Sequence, residues 1–169
     1  MKNMRPTSGK VRSALFNILG SAGLLDVDFL DLFAGAGQIA ALALRMGARS
    51  ALCVESDRAS SSAVTALLRK HGFDAPTALC LASDVRRAVP RLAREARSFG
   101  VVFADPPYCM GWGETLPRLM AENWNIVAPG GVFAFEHSSR DVISDIFVPR
   151  DDRIYGETVI SFYWKPEAS

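Results

Sequence analysis

Little in this sequence is suited to metal or thiol chemistry. Its 169 residues include only two histidines and three cysteines, and Cys53, Cys80 and Cys109 lie too far apart to form a C-x-x-C pair. That spacing excludes the common zinc and redox frameworks and fits a reducing compartment. Cys53 and Cys80 sit in apolar runs and read as small core residues. No stretch is apolar enough to span a membrane, and the polar start from Met1 to Pro6 is no signal peptide, so a cytoplasmic location is expected. Internal repeats and low-complexity linkers are also absent. A large excess of one charge is lacking too: the net charge of +1 excludes a protein that coats nucleic acid by charge alone. Lys2, Arg5, Lys10 and Arg12 nevertheless follow one another with no acidic residue between them, which reads as a local phosphate-contacting patch.

The length fits one domain, residues 1–169, with residues 1–22 forming an N-terminal segment and helix. Lys10 to Leu19 reads as an amphipathic helix with Val11, Leu15, Ile18 and Leu19 on one face. Strands are expected at Phe29 to Phe33, Ala51 to Val54, Thr77 to Leu81, Val101 to Ala104 and Gly131 to Phe135. Helices are expected at Gln38 to Met46, Arg58 to Lys70, Val85 to Arg97 and within Pro106 to Val127. Arg153 to Trp164 alternates like a terminal hairpin. Continuously apolar strands that alternate with helices predict an α/β fold, a parallel sheet covered on both faces. Such sheets bind ligands beyond the carboxyl ends of their strands, so the residues that follow each strand carry the functional information.

After the first strand comes Asp31-Leu32-Phe33-Ala34-Gly35-Ala36-Gly37. Glycines there let a ligand approach the turn, and the following helix offers free N–H groups to an anion such as a carboxylate. Glu55 follows the second strand, about twenty residues past the glycines, where an acidic side chain can take both ribose hydroxyls. Ser83 and Asp84 follow the third strand, and a carboxylate there can accept from an adenine amine. These residues suit S-adenosylmethionine and a nicotinamide dinucleotide equally, because Gly35 to Ala40 also reads G-x-G-x-x-A. Asp105-Pro106-Pro107-Tyr108, after the fourth strand, favours the former. An exocyclic base amine is a poor nucleophile because its lone pair is delocalised into the ring. The Asp105 carboxylate and the Pro106 carbonyl can each accept one amine hydrogen, consecutive prolines fix where that carbonyl points, and Tyr108 offers a face for the base to stack on.

Asp105 to Tyr108 is similar to the D/N-P-P-Y/F motif of amino-methyltransferases that act on nucleic acids. More broadly, the chain resembles the bacterial 16S ribosomal RNA guanine-N2 methyltransferases, the RsmD-like family. The similar segments include Arg5-Pro6-Thr7, Val11-Arg12, Leu15-Phe16-Asn17, Asp31 to Gly37, Val54-Glu55, Pro129-Gly130-Gly131, Glu136-His137 and Tyr155-Gly156-Glu157-Thr158. The resemblance implies a Rossmann-like seven-stranded sheet with an antiparallel last strand. It also implies S-adenosyl-L-methionine as cofactor and S-adenosyl-L-homocysteine as product. Asp31, Phe33, Gly35, Gly37, Glu55, Ser56, Asp84 and Asp105 would surround the cofactor. Asp105, Pro106 and Tyr108 would hold the target amine, with Arg5, Thr7, Arg12, Pro107, Trp112 and His137 on the substrate. The partner would be ribosomal RNA or the assembled small subunit, with no metal and no membrane, acting as a monomer.

There are departures. The family usually carries a basic, glycine-rich β-hairpin before Arg-Pro-Thr, whereas this chain opens almost at that motif; Ser8-Gly9 stands for Thr-Asp, Leu42 for Glu and Leu67 for Asn. The missing hairpin reads either as a lost RNA contact or as a truncation of a longer chain, and the departures leave the proposed chemistry intact while favouring a divergent RNA target. Rival readings are an N6-adenine or N4-cytosine methyltransferase, and a non-catalytic cofactor- or RNA-binding domain. Trp112 suits either a second stacking wall or a loop anchor, and Arg87, Arg91 and Arg94 read as a solvated helix face.

Overall fold

In the computed structural model, the described residues are 8–146 and 149–169. They form helix α1 (Gly9–Ser21), strand β1 (Asp28–Asp31), α2 (Gln38–Arg45), β2 (Ser50–Glu55), α3 (Arg58–Lys70), β3 (Ala78–Ala82) and α4 (Val85–Arg94). Then follow β4 (Phe99–Ala104), α5 (Trp112–Glu122), a 3-10 turn (Trp124–Ile126), β5 (Val127–Ser138), β6 (Asp151–Tyr155) and β7 (Thr158–Trp164). The seven strands make one sheet in the order β3-β2-β1-β4-β5-β7-β6. Strands β1 to β5 pair in parallel, and β7 is antiparallel to both of its neighbours. This is the expected Rossmann-like architecture with a reversed last strand.

Strand alternation assigns the two faces. Phe29, Cys53, Val101, Phe103, Val132, Ala134 and Phe162 pack under α1, α2 and α3. Leu30, Leu52, Val54, Val102, Phe133, Phe135 and Tyr163 pack under α4 and α5. Both faces are buried because period-2 side-chain alternation makes a continuously apolar strand present carbon to both helical layers. On α1 the buried positions are Val11, Leu15, Phe16 and Leu19, so Phe16 joins the predicted stripe and Ile18 sits at its border.

Helix starts follow local chemistry. Ser8 and Asp57 accept the backbone N–H groups of Val11 (3.3 Å) and Ser60 (2.7 Å) with their side chains. The α4 boundary differs from expectation, ending at Arg94 instead of continuing to Arg97. Ala96 adopts a left-handed φ of 55°, and the N–H groups of Ala96 and Arg97 turn back to the carbonyls of Ala93 and Leu92. That is a Schellman closure built on alanine where glycine is usual. Strand β5 begins earlier than expected, at Val127, because Val127 pairs with Phe99 ahead of an irregularity in the β4–β5 register. No helix among the described residues is long and apolar enough to cross a membrane.

That irregularity depends on Gly131. A Cβ at this position would lie 2.6 Å from the Gly100 carbonyl oxygen and 2.8 Å from that of Ala128. Both obstacles are backbone and cannot step aside. Gly131→Ala is expected to cost about 1–3 kcal/mol through strand separation, seen in thermal denaturation as a Tm lower by about 2–4 °C per kcal/mol. A Tm equal to wild type would show that the β4–β5 junction has slack.

Candidate active site

Strands β1, β2 and β4 deliver Asp31, Glu55 and Asp105 to one end of the sheet. The turn after β1 is tied across to β2. Gly35 N–H donates to Glu55 Oε2 (3.0 Å), Asp57 N–H donates to Oε1 (3.0 Å), and Ala34 N–H donates to the Val54 carbonyl (3.0 Å). Gly37 caps α2 with φ 81°, and a Cβ there would press on Val64 at 3.0 Å, so both backbone shape and the α3 contact call for glycine. Ser56 is exposed beside Glu55, and Phe33 is half-buried, edge-on to Trp112 with ring centroids 4.9 Å apart.

Asp31 is 1% exposed. Burial pushes its pKa up to about 8; the Phe33 N–H, donating to Oδ1 at 3.3 Å, opposes this, while the charges of Asp105, Cys80 and Glu55 add to it. The ends of β1, β2 and β4 therefore form a carboxylate cluster that resists further negative charge. Cys53 and Cys80 are register partners on β2 and β3 beside it, the first buried as expected and the second half-buried.

Asp84 is at the end of β3 as predicted, but its carboxylate caps α4 and is gripped by Arg86. It accepts from Arg86 N–H (2.8 Å), Nε (3.0 Å) and Nη2 (2.8 Å), which holds its pKa below the ordinary carboxylate range. The same guanidinium lies over the Trp112 ring, 5.4 Å from its centroid. Sequence reasoning missed Arg86; its position two residues after a capping aspartate was the available signal.

Beyond β4, Asp105 is half-buried, Pro106 is buried, and Pro107 and Tyr108 are exposed, Tyr108 at 43%. Cys109 and Gly111 both take left-handed φ values, 62° and 71°. Cys109 is strained there, since a side chain disfavours that region. This loop turns around a cavity of about 270 Å³, whose walls include Pro106, Tyr108, Trp112, Phe135, Glu136 and His137. Trp112 opens α5 and is 9% exposed, so it serves as wall and anchor at once. Met110, Asp141 and Val142 also line the cavity and were not anticipated. The Val142 carbonyl sits where a Cβ of Gly113 would be, so the segment after β5 closes directly on α5.

His137 is on the cavity wall, though inside β5 instead of after it. Burial pushes its pKa below the ordinary imidazole value. Nδ1 lies 2.9 Å from the Ser138 carbonyl, which only accepts, so Nδ1 carries the hydrogen in the neutral ring. Nε2 lies 2.8 Å from Ser161 Oγ, which also lies 2.6 Å from Asp152 Oδ1. The Ser161 hydroxyl donates to Asp152, and Nε2 of the neutral ring competes for the same hydrogen. Both ring nitrogens are occupied within the protein, so His137 offers the cavity its ring and not a hydrogen bond. Arg12 lies away from this cavity on α1, where its Nη1 donates to Gln38 Oε1 (3.2 Å). Arg5 and Thr7 lie outside the described residues. Among the described residues no cluster of histidine, cysteine or acidic side chains could hold a metal.

The Asp31 carboxyl makes stability depend on pH. Its folded value of about 8 lies above its ordinary 3.8, so the fold holds a proton that the unfolded chain releases between those values. The corresponding stability is full at low pH, falls as pH rises and is gone above the folded value. Through that window the wild type loses up to about 1.4 kcal/mol per pH unit from this group, a few degrees in Tm. Asp31→Asn loses none of it and keeps an acceptor for the Phe33 N–H. The Tm of the variant relative to wild type is expected to climb from pH 5 to 8 and then level off; parallel Tm curves would contradict the assignment.

Comparisons with known proteins agree with this architecture. The family model described as Conserved hypothetical protein 95 matches residues 1–164. The ribosomal RNA small subunit methyltransferase D of Escherichia coli strain K12 is 34% identical over 120 residues, covering 71% of this chain and 58% of that protein. The chain thus matches under two thirds of that relative's length. A hypothetical protein of Thermus thermophilus has a solved structure with a TM-score of 0.80 and 27% identity, covering 99% of this chain and 91% of that one. An RNA methyltransferase of Salinibacter ruber, solved in complex with S-adenosyl-L-homocysteine, shares the fold at a TM-score of 0.71 and 17% identity, covering 98% and 96% of the two chains. Strand order, glycine turn and the Asp105 to Tyr108 loop thus meet in a match over nearly the full length, and the chain belongs to the conserved hypothetical protein 95 family, the RsmD-like group that its motifs resemble.

Proposed function

We propose that this protein transfers a methyl group from S-adenosylmethionine to the exocyclic N2 amine of a guanine in 16S ribosomal RNA. The observation that carries this reading is a shared wall. The segment from Asp105 to Tyr108 faces the carboxylate cluster at one end, where Asp105 is felt by Asp31, and lines the cavity from Pro106 onward. A cofactor on one side and a base on the other would meet across it.

The residues present fit this cofactor better than a dinucleotide. Glu55 and Asp105, with a buried Asp31 whose ionisation they oppose and a cation would favour, disfavour the two negative charges of a pyrophosphate and suit a ligand with cationic groups. When bound, the cofactor supplies an activated methyl group on a sulfonium, so neither metal nor covalent enzyme adduct is required. Glu55 takes the ribose hydroxyls through the lone pairs left by its two backbone contacts. Gly35 and Gly37 leave room for the methionine portion, with Phe33, Ser56 and Asp84 around the nucleoside. The E. coli relative is named for ribosomal RNA methylation, and the S. ruber structure holds the demethylated product, which supports the same cofactor and substrate class.

On the substrate side, the guanine leaves its stack to enter the cavity. Tyr108 covers one face and Trp112 bounds the other side, with Pro107 and the His137 ring completing the walls. The Asp105 carboxylate accepts one amine hydrogen and the Pro106 carbonyl accepts the other, which keeps the nitrogen lone pair directed toward the methyl donor. Formation of the nitrogen–methyl bond would be matched by cleavage of the sulfonium carbon–sulfur bond, leaving the thioether S-adenosylhomocysteine, and the proton that nitrogen then gives up would pass to Asp105 and on to solvent. Orientation supplies most of the rate enhancement. On this reading each of these roles is taken by residues of a single copy of the chain.

The test is transfer of labelled methyl groups to small ribosomal subunits, and to naked 16S RNA, from cells lacking this activity, followed by nucleoside analysis. N2-methylguanosine is the expected product; methylated adenosine or cytidine would overturn the guanine assignment. Asp105→Ala is expected to retain cofactor affinity and lose roughly 100-fold or more in kcat. Near-wild-type turnover would remove Asp105 from the chemistry.

A further inference from the structure

A second concave surface lies on the opposite face of the sheet from the base cavity. It is a groove of about 450 Å³ between α1, α2 and α3, lined by Arg12, Ser13, Gln38, Arg45 and His71 over a floor of Ala41, Leu42 and Leu67. Gln38, Leu42 and Arg45 recur at i, i+4 and i+7, one stripe of α2. The groove therefore follows two helical turns, about 10 Å. It begins at Gln38, directly after the capping Gly37 of the glycine turn, and runs away from it.

Its charge is one-sided. Among the described residues no carboxylate lines it and no ion pair engages Arg12 or Arg45. Arg12 gives one donor to Gln38, and a guanidinium has five. The bias extends through the sequence around it. Residues 1–25 hold four cations and no carboxylate, since the first acidic residue is Asp26; the rest of the chain holds fifteen Lys and Arg against eighteen Asp and Glu. A nearly neutral protein thus carries a net positive charge over the stretch of sequence that includes α1, which gives the groove Arg12.

We infer that this groove is a phosphate track, which holds the backbone of the RNA strand whose target base enters the cavity. A small anion needs one cationic point; a groove with guanidiniums on two helices, neutral donors between them and an apolar floor suits a polymer of regularly spaced phosphates with sugars between. The contacts are to backbone, so they set position and affinity without reading sequence. This rests on the reading of the substrate as RNA.

The test compares wild type, Arg45→Gln and Arg45→Glu in binding to a fluorescein-labelled, mixed-sequence single-stranded RNA across a potassium chloride series. Arg45 is exposed at the end of α2 and outside the proposed cofactor and base contacts. Arg45→Glu is expected to weaken binding roughly tenfold at low salt and to lower the slope of log affinity against log salt by about 0.7. Arg45→Gln should lie between it and wild type, with S-adenosylmethionine affinity by calorimetry unchanged for both. Wild-type affinity and slope in both variants, or wild-type protein without salt-dependent RNA binding, would overturn the track. Competition by polyglutamate as effective as by unlabelled RNA would overturn it in favour of an acidic protein partner. RNA binding that responds to Arg45 in a protein that methylates no ribosomal RNA would remove the proposed function and leave the track; methyl transfer indifferent to Arg45→Glu would do the reverse.

Discussion

The parallel pairing of β1 with β4 is the contact on which the rest of the site depends. Chain order runs outward from β1 to β2 and β3, then returns across the sheet to β4, so these two neighbours send their following segments in opposite directions. A crevice opens where the loops part. The pairing of Asp31 with Phe103, and the bond from Leu32 N–H to the Phe103 carbonyl (2.9 Å), hold the glycine turn and the Asp105 segment side by side. Neither loop could be placed to this accuracy by its own turn chemistry. The six-residue β4 is buried almost throughout, and that core gives the crevice a rigid base.

At the crevice the fold accepts an electrostatic cost. A carboxyl group at the end of a central strand is desolvated and has other acids nearby. A core optimised for stability alone would place a neutral side chain there. The cost is intelligible if the cluster is completed by a cationic ligand, which turns mutual repulsion into attraction when it binds. Arg86 performs a smaller version of this at the neighbouring strand end, neutralising Asp84 and extending over Trp112.

Much of this was legible in the residues. The span of α3 could be read directly because Asp57 caps its start and Gly72 follows its end, and the strand cores were visible as apolar runs. The end of α4 was not, because alanine occupies a left-handed position that sequence patterns assign to glycine. Asp31, Glu55 and Asp105 could be placed at one edge because residues after parallel strands converge by topology. The grip of Arg86 on Asp84 is local and had a signal in its spacing, whereas the contact of His137 Nε2 with Ser161 could not be foreseen, because it depends on packing between strands distant in sequence. The same holds for the cavity wall at Asp141 and Val142, which reaches α5 only through the close approach at Gly113.

The reversed direction of β7 has a practical meaning. It begins beside Ser138, at the edge where the parallel strands end, and runs back so that Trp164 pairs with Val132 and Lys165 donates to the Gly131 carbonyl (2.9 Å). The last paired residues therefore emerge at the far edge of the sheet, a full strand length from the crevice. A dye or affinity handle attached to a residue just past Lys165 would face away from the cavity, so the protein could be held there with its entrance open to large assemblies.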